Sequence, residues 1–318
     1  RICILGSGLS ALTLAKALVN ENIYVDIVFP KKKIKINKSR TIGISKSNIL
    51  YFNKNIKNIE KIIWKLKKIE IFSDNLKNEK LLNFTNNNDQ LFSIIKNFKL
   101  FEILYKSLSH NKFFKRKTFQ KKKIDFSTYN LVINTDYSNF LSKKLFNKKI
   151  FKIYNSLAYT TIIKHEKISN DTAIQIFTKR GPLAFLPISN NETSIVYSIK
   201  NTVDQKKDDI KELIHDYNPK YKIKKIEKLE SLELKSINLR SYHSGNILAF
   251  GDLLHRLHPF AGQGFNMTIR DIRILIKIIR EKIDLGLPLD SSINFNFEKK
   301  LRHKNYIFST SIDFVHEF

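Results

Sequence analysis

The first thirty residues constrain the fold more than any other part of this chain. RICIL is a short apolar run, LTLAKALVNE has apolar residues at helical spacing, and IYVDIVF is a second apolar run that Pro30 closes. A strand, a helix and a second strand in this order are typical of a βαβ unit in a parallel sheet. We therefore predict that an α/β domain begins at the start of the sequence.

The turn between the first strand and the helix, ILGSGLSA, indicates a dinucleotide site. Gly6 permits a tight turn, Gly8 lets a pyrophosphate approach the backbone, and Ala11 lets the helix pack closely on the strand. The helix N-terminus adds unpaired N–H groups and the positive end of its dipole. An acid is expected at the end of the second strand, but Phe29 stands there. The predicted cofactor contacts of this turn are Gly6, Ser7, Gly8, Leu9, Ser10 and Ala11.

The middle of the chain has a different pattern. AYTTIIKH, TAIQIFT, GPLAFLPI and TSIVYSIK are β-rich segments separated by polar turns, which predicts an antiparallel meander over residues 156–200. YNLVINTD predicts a strand with an acidic end, and QKKDDIKELIHDY predicts a helix. The α/β pattern thus occurs at both ends of the chain, with a β-rich insert between them.

A second glycine turn, GDLLHRLHPFAGQGFN, follows the apolar run NILAF. Asp252 can accept hydrogen bonds from sugar-like hydroxyls, and Gly262 and Gly264 let the backbone approach a flat ligand. We expect Asn266 to cap a helix that begins near Met267 and favours negative charge at its start. A ligand with a polyhydroxyl chain, a flat ring and an edge that becomes anionic on reduction is a flavin. The apolar stripe of that helix comprises Ile269, Ile272, Leu275 or Ile276, Ile279 and Ile283.

The segment GDLLHRLHPFAGQGFNMTIRDI resembles the corresponding region of the ubiquinone-biosynthesis hydroxylases, which are group A FAD-dependent aromatic monooxygenases. KSRTIGISKSNILYF and HEKISNDTAIQIFTKRGPLAFLPISNNETSIVYSI resemble two further segments of that family, in the same order. The resemblance implies an α/β fold with a Rossmann-like FAD-binding domain of the GxGxxA type and an inserted β-sheet substrate domain. We place the FAD-binding domain in residues 1–67, 98–150 and 243–318, and the substrate domain in residues 68–97 and 151–242.

The resemblance also implies cofactor contacts outside the first turn. One of them, Asp136, lies in a motif that in the family usually reads A-D-G-x-x-S, and Tyr137 replaces its glycine here. Phe185 and Pro187 are the predicted substrate contacts, since they lie in an aromatic-rich β segment. The implied FAD contacts are Arg40, Asp136, Gly251, Asp252, Pro259, Gly262, Gln263, Gly264, Phe265 and Asn266.

The activity that the resemblance implies is aromatic hydroxylation. NAD(P)H would reduce FAD, O₂ would form a flavin C4a-hydroperoxide, and the ring of a polyprenylated phenol or quinol would be hydroxylated on the way to ubiquinone. No catalytic side chain is assigned, and the ring position, the choice between NADH and NADPH and the oligomeric state are not fixed. Two alternatives stay open. The first, which Phe29 and Tyr137 motivate, is an accessory subunit of a ubiquinone-biosynthesis assembly that is weakly active or has no flavin. The second is a flavin oxidoreductase that acts on another substrate.

The net charge of +28 allows three interpretations. They are nucleic acid, an anionic membrane surface, and a bias toward Lys, Asn and Ile in a solvated surface. The lysines are scattered in no known nucleic-acid motif and arginine is scarce, so we predict no nucleic-acid partner. The other two interpretations stay open. We expect a cytoplasmic protein, with peripheral contact at the inner face of the membrane or membership of a complex as its further setting.

Several patterns exclude other classes. The single cysteine, Cys3, forms no internal disulfide and is expected to be a buried hydrophobe. His255 and His258 lack a third metal ligand, so we predict no metal site. The glycine spacing around Ser7 and Ser10 differs from that of a nucleophile elbow. Apolar runs are too short for a spanning helix. The missing initiator methionine and the helix-like ending lead us to expect further residues at both ends.

Overall fold

A computed structural model describes residues 1–29, 37–74, 79–85, 90–118, 125–200, 207–256 and 263–317. The helices of these residues are α1 (Leu9–Asn20), α2 (Lys46–Asn55), α3 (Asn97–Ser109), α4 (Phe140–Leu145), α5 (Lys207–Asp216), α6 (Gln263–Asp284) and α7 (Ser292–Glu317). The strands are β1 (Ile2–Leu5), β2 (Val25–Phe29), β3 (Thr41–Ser45), β4 (Ile63–Leu66), β5 (Lys68–Ser73), β6 (Glu79–Thr85), β7 (Phe92–Lys96), β8 (Phe114–Thr118), β9 (Leu131–Asn134), β10 (Lys149–His165), β11 (Thr172–Thr178), β12 (Gly181–Pro187), β13 (Glu192–Lys200), β14 (Ile223–Ile226), β15 (Glu230–Leu239), β16 (His243–Ser244), β17 (Ile247–Ala249) and β18 (His255–Arg256).

The first sheet has six strands in the order β16-β17-β9-β1-β2-β8. All neighbours are parallel except β16, which runs antiparallel to β17. One face packs against α1, α3, α6 and α7, and the other face carries a smaller cluster that includes the fully buried Cys3. This doubly covered parallel sheet confirms the predicted α/β fold, and it explains why β1 and β2 read as continuous apolar runs.

The second sheet has nine strands and contains the predicted meander. Its order is β18-β15-β10-β13-β12-β11-β5-β6, and β14 pairs with β10. β10 with β13, β13 with β12, and β12 with β11 are antiparallel. The helix α5 covers one face of this sheet, where Ile210 and Ile214 pack with Leu183, Ile195 and Tyr197.

A third sheet, β3-β7-β4, lies between the other two. Its Leu66 and Ile94 form a cluster with Ala173 of the nine-stranded sheet. The hydroxyls of Thr41 and Ser194 lie 2.9 Å apart across the same junction. In this sheet β7, which we predicted within the substrate domain, pairs with β3 and β4, which we predicted within the FAD-binding domain. This sheet thus contains strands from both predicted domains, and the domain boundaries stay a prediction.

The helix α6 starts earlier than expected. It begins at Gln263 rather than near Met267. Its predicted apolar stripe is buried up to Ile279, but Ile283 is 46% exposed. Residues 281–285 are largely exposed because the last turn of the helix extends beyond the core.

Asp26 of β2 contacts three polar and charged side chains from other parts of the chain. The Arg1 guanidinium donates to both carboxylate oxygens at 3.0 and 2.8 Å, Lys117 Nζ lies 2.8 Å from Oδ2, and the Tyr129 hydroxyl donates to Oδ2 at 2.6 Å. Burial raises the pKa of Asp26, but the bonds from Lys117, Tyr129 and Arg1 together hold the pKa below its ordinary value. The carboxylate is therefore more acidic in the folded chain than in the unfolded one.

This network predicts an acid-sensitive contribution to stability. Because the folded-state pKa of Asp26 is depressed, its contribution is complete above the unfolded value of about 3.9 and is lost as the pH falls through the folded value. Asp26→Asn is expected to lower the free energy of unfolding by about 1–3 kcal/mol at neutral pH and to flatten its decline in acid. Urea unfolding across the acid range measures both effects. Glu166→Gln, at an exposed ion pair with Lys222, is the control. An unchanged acid slope in Asp26→Asn would contradict the assignment.

Candidate functional site

Three bends of the chain meet at one edge of the six-stranded sheet. The parallel neighbours β1, β9 and β17 end at Leu5, Asn134 and Ala249. Ligands of open α/β sheets bind outside the carboxyl ends of the strands. Both glycine turns predicted from the sequence follow strands that end at this edge, one after β1 and the other after β17.

The first turn requires a glycine at Gly6. Its φ is +115°, and a side chain there would run into Thr135 Oγ1. Thr135 fixes this contact because its hydroxyl donates to the carbonyl of Leu5 at 2.9 Å. The bend after β9 therefore packs directly on the bend after β1. The sequence analysis did not single out Thr135, although its place at a strand end was a usable signal.

The second turn packs on the first. Gly251 has a φ of +60°, and a Cβ there would lie 2.7 Å from the Cβ of Ser10. Ser10 belongs to the first turn of α1, so the two glycine turns are neighbours in space although 241 positions separate these residues (251 − 10). The predicted contacts Gly6, Ser10 and Gly251 thus come together at one place.

At two helix starts of the site, glycine leaves the backbone uncovered by side chains. Gly8 is the N-cap of α1 in extended conformation, no side chain caps it, and the first turn has no acid. A Cβ at Gly8, or at Gly264 in the first turn of α6, would meet no atom of the described residues within 4 Å. Free amides and the positive end of the helix dipole favour an anionic group at such starts.

Asn266 does not cap α6, which corrects the expectation from the sequence. It lies inside the first turn of the helix, and its buried side chain makes tertiary hydrogen bonds instead. Its Oδ1 accepts from the Ser45 amide at 3.0 Å and from Asn48 Nδ2 at 2.9 Å, and its Nδ2 donates to the Gly43 carbonyl at 3.0 Å. Asn266 therefore fixes the start of α6 against the junction of β3 and α2.

The remaining predicted cofactor contacts differ in exposure and in their hydrogen bonds. Asp252 is an exposed carboxylate in a 3-10 turn, Gly251–Leu253, and Arg40 is exposed just before β3. Asp136 accepts from the amide and hydroxyl of Ser138 at 2.8 and 2.6 Å, so it shapes its own turn. Ser7 and Ala11 are buried, Leu9, Gln263 and Phe265 are partly buried, and Pro259, Gly262 and His258 lie outside the described residues.

Tyr137 replaces a glycine without straining the backbone. The described residues other than glycine that have positive φ are Asn22 and Asn155, so Tyr137 is not in the left-handed region. Its side chain is 56% exposed. The departure from the family motif at this turn is therefore compatible with an undistorted bend.

The end of β2 carries an aromatic and a cation where an acid was expected. Phe29 is buried, and the guanidinium carbon of Arg116 lies 4.6 Å from the centre of its ring. Arg116 also donates to the Tyr105 hydroxyl at 2.9 Å. Phe29 thus provides a cation–π surface and no hydrogen-bond acceptor for a ribose.

A buried hydrogen-bonded pair, His255 and Asp271, lies just after the 3-10 turn Gly251–Leu253. His255 Nε2 is 2.5 Å from Asp271 Oδ2, and both side chains are fully buried. Arg270 lies 3.0 Å from the other oxygen, Oδ1. Because a carboxylate only accepts, Nε2 carries the proton that His255 donates. The sequence analysis missed Asp271, although an acid between the apolar stripe positions Ile269 and Ile272 was a signal.

The chain from β17 to β18, which carries this histidine, leads from the parallel sheet to the nine-stranded sheet. β18 pairs with β15, with Asn238 opposite His255, at the edge of the nine-stranded sheet. The Leu239 amide donates to the Leu254 carbonyl at 3.1 Å. The second glycine turn is therefore held between the parallel sheet on one side and the nine-stranded sheet on the other.

Phe185 and Pro187 do not lie on an open surface, which corrects their prediction as substrate contacts. Both are buried, and Phe185 stacks on Tyr221 at 5.9 Å in the cluster under α5. Side chains alternate between the faces of a strand, so the neighbours Ala184 and Leu186 project from the opposite face. Both of these neighbours are partly exposed.

The opposite face of the nine-stranded sheet carries a row of small and medium side chains. Gln175, Ala184, Val196 and Thr160 are cross-strand neighbours in that order, and all are partly exposed. In the next row, Ser194 meets Thr41 of β3. This face thus turns toward β3.

Metal sites and candidate membrane-spanning helices are both absent from the described residues. No group of three or more His, Cys, Asp and Glu side chains there could hold a metal ion. No helix there has the length and apolar character that crossing a membrane would require.

Comparisons with known proteins identify a matching family model and several similar proteins. The FAD binding domain family, FAD_binding_3, matches residues 148–284. The mitochondrial ubiquinone biosynthesis monooxygenase COQ6 of Drosophila melanogaster is 26% identical over 219 residues, which are 55% of this chain and 46% of that protein. The 3-demethoxyubiquinol 3-hydroxylase of Escherichia coli is 27% identical over 124 residues, 37% of this chain and 32% of that protein. The chain thus spans less than half the length of these curated relatives.

Solved structures share the fold over nearly the whole chain. A tetrameric form of 2-methyl-3-hydroxypyridine-5-carboxylic acid oxygenase has a TM-score of 0.79 at 14% identity, covering 99% of this chain and 90% of that one. Klebsiella pneumoniae HpxO, solved in complex with FAD and uric acid, has a TM-score of 0.76 at 13% identity, covering 98% of this chain and 87% of that one. At these identities the similarity concerns the fold alone.

Proposed function

We propose that this chain is an NAD(P)H-dependent monooxygenase of the FAD-dependent hydroxylase type found in ubiquinone biosynthesis, and that it hydroxylates a polyprenylated phenol or quinol with O₂. Its similarity to the FAD binding domain family and to ubiquinone hydroxylases supports this proposal. One observation carries the proposal. The turns at Gly6 and Gly251 pack together at the carboxyl edge of a parallel sheet, and the second turn continues into the edge of a β-sheet with an open face.

The residues of the edge fit FAD in charge and shape. The start of α1, open at Gly8 and without a capping side chain, suits the pyrophosphate. The exposed carboxylate of Asp252 suits the hydroxyls of the ribityl chain. The start of α6, open at Gly264 and fixed in place by Asn266, suits a ring edge that becomes anionic. When bound, FAD would supply hydride acceptance from NAD(P)H and oxygen activation.

The substrate would lie on the partly exposed face of the nine-stranded sheet. Ala184, Val196 and Thr160 form a shallow floor there that accepts an aromatic ring. A polyprenyl tail keeps such a substrate in the membrane, so we place the protein in the cytoplasm with peripheral contact at the inner face of the membrane. The oxygen-activating route implied by the resemblance stays a prediction.

Complementation tests this function most directly. The chain is expressed in strains that are each blocked at one ubiquinone hydroxylation step, and mass spectrometry identifies the restored product. We expect restoration at one ring position. Ala184→Phe is expected to lose most of this activity by filling the floor, whereas Ala184→Ser, which adds one oxygen atom, retains it. Failure in every strain despite flavin in the purified protein would refute the substrate class.

A second function has support in two positions. Phe29 replaces an expected ribose ligand at the end of β2, and Tyr137 alters the motif that follows β9. These changes favour an accessory subunit of a ubiquinone-biosynthesis assembly, weakly active or without flavin. The absorbance of purified protein separates the versions. Two flavin bands without turnover indicate a flavin-binding subunit, and absent bands indicate a subunit without flavin. Turnover of NAD(P)H with a substrate outside this class would instead indicate a different flavin oxidoreductase.

A further inference from the structure

The outer face of α7 carries a stripe of aromatic and basic side chains. Phe295, Lys299, Arg302 and Tyr306 follow one another at intervals of four, three and four positions, so they share one face of the helix. Phe295 is 59% and Tyr306 52% exposed. The opposite side of α7 holds the fully buried Ile293, Phe297 and Leu301 and packs on the core. The exposed stripe is therefore separate from the face that anchors the helix.

This stripe forms one wall of a cavity of about 980 Å³. The other wall comes from β10 and β15, with Ile150 and Leu239 as its apolar residues and Arg240 at its rim. Ile150 is 43% exposed. Exposed apolar side chains thus stand on both sides of one groove, with Ile150 on one wall and Phe295 and Tyr306 on the other.

The charge in the groove is positive. Arg240, Lys299 and Arg302 are exposed cations of its lining. The carboxylate in the lining, Glu298, is already engaged, since it accepts from the Tyr242 amide at 3.0 Å and lies 3.4 Å from Arg302. An occupant must therefore offer anionic groups to the cations and an apolar interior to the exposed rings.

These demands select one occupant. A bilayer of anionic phospholipid presents phosphates at its surface and apolar chains directly below, and aromatic and basic side chains are the residues that favour this boundary. A second copy of the chain suits the groove poorly, because each copy carries a net charge of +28.

We propose that the groove between α7 and the β10–β15 edge docks the protein on an anionic phospholipid bilayer. Phe295 and Tyr306 enter the interfacial layer, and Arg240, Lys299 and Arg302 bind lipid phosphates. This surface gives the membrane contact of the proposed function a location, and it rests on that function only for its biological use. Vesicle binding needs neither flavin nor turnover, so a failure of the hydroxylase proposal and a failure of the docking surface are distinguishable.

A site-specific probe tests the orientation. Cys3 is fully buried, so Tyr306→Cys can be labelled selectively with an environment-sensitive dye. Vesicles of phosphatidylcholine with phosphatidylglycerol, in a ratio of about 7:3, are expected to raise and blue-shift the dye emission, and pure phosphatidylcholine is not. The same dye at Lys222→Cys, an exposed position just before β14, is expected to stay unchanged. Equal responses at both positions, or a response at 306 to protein concentration without lipid, would overturn the proposal.

Charge neutralisation tests the affinity. Lys299→Gln with Arg302→Gln is expected to weaken binding to the anionic vesicles about thirtyfold, since each cation near such a surface contributes about 1 kcal/mol. The matched control is Lys222→Gln with Lys225→Gln, which removes the same charge from exposed positions in and just before β14. It is expected to change binding less than about threefold. Equal losses in the two variants, or no vesicle binding by the wild type, would show that the groove is not the docking surface.

Discussion

Gly8→Asp is expected to weaken FAD binding by about a hundredfold or more while leaving the fold at least as stable as the wild type. Position 8 is an uncapped helix N-cap in extended conformation with open space around it, so aspartate fits there and caps α1. Its carboxylate would stand where the pyrophosphate is expected, and repulsion of like charges at contact distance costs several kcal/mol. Flavin fluorescence titration and urea unfolding measure the two effects separately.

Gly8→Asn is the matched control for this change. Asparagine has nearly the same shape as aspartate and is an equally good N-cap, but it carries no charge. It is expected to stabilise α1 similarly and to weaken FAD binding much less than aspartate does. Equal FAD affinities of Gly8→Asp and the wild type would remove the pyrophosphate from this turn.

Asp271→Ala is expected to lower the free energy of unfolding by about 3–5 kcal/mol. The substitution leaves His255 fully buried without its carboxylate and removes one of the two side chains that Arg270 contacts, Asp271 and Asn305. Breaking a buried pair in this way is strongly destabilising. Because His255 follows the second glycine turn within β18, we also expect weaker FAD binding. Chemical denaturation followed by circular dichroism gives the stability.

A double-mutant cycle tests whether this loss of stability comes from the His255–Asp271 pair. His255→Ala combined with Asp271→Ala is expected to cost much less than the sum of the two single changes, since the pair acts as a unit. Glu281→Ala, an exposed position of the same helix, is expected to change stability by less than about 0.5 kcal/mol. Additive single costs would show that the pair is not coupled.

The parts of the fold that local patterns determine could be predicted from the sequence. The βαβ start, the meander and α5 each follow from apolar spacing and turn residues over a few positions. The meeting of the two glycine turns could be expected only through family resemblance, because the contact between Gly251 and Ser10 joins distant parts of the chain.

The errors have physical causes of two kinds. Phe185 and Pro187 were predicted as substrate contacts because they lie in an aromatic-rich β segment. Since β12 is apolar on both sides, the sequence does not indicate which of its two faces α5 covers. Asn266 was expected to cap because asparagine favours helix starts, but its partners Ser45 and Gly43 are more than 200 positions away. Tertiary hydrogen bonds of that range leave no local pattern.

A comparison of FAD with FMN tests most directly whether the two turns hold opposite ends of one cofactor. FMN lacks the adenosine and the pyrophosphate bridge, so only the second turn can bind it. A site shared by Gly8 and Gly251 predicts that the wild type binds FAD far more tightly than FMN. It also predicts that Gly8→Asp raises the dissociation constant of FAD until it is similar to that of FMN. Equal affinity for FAD and FMN in the wild type, or an undiminished preference for FAD in Gly8→Asp, would contradict it.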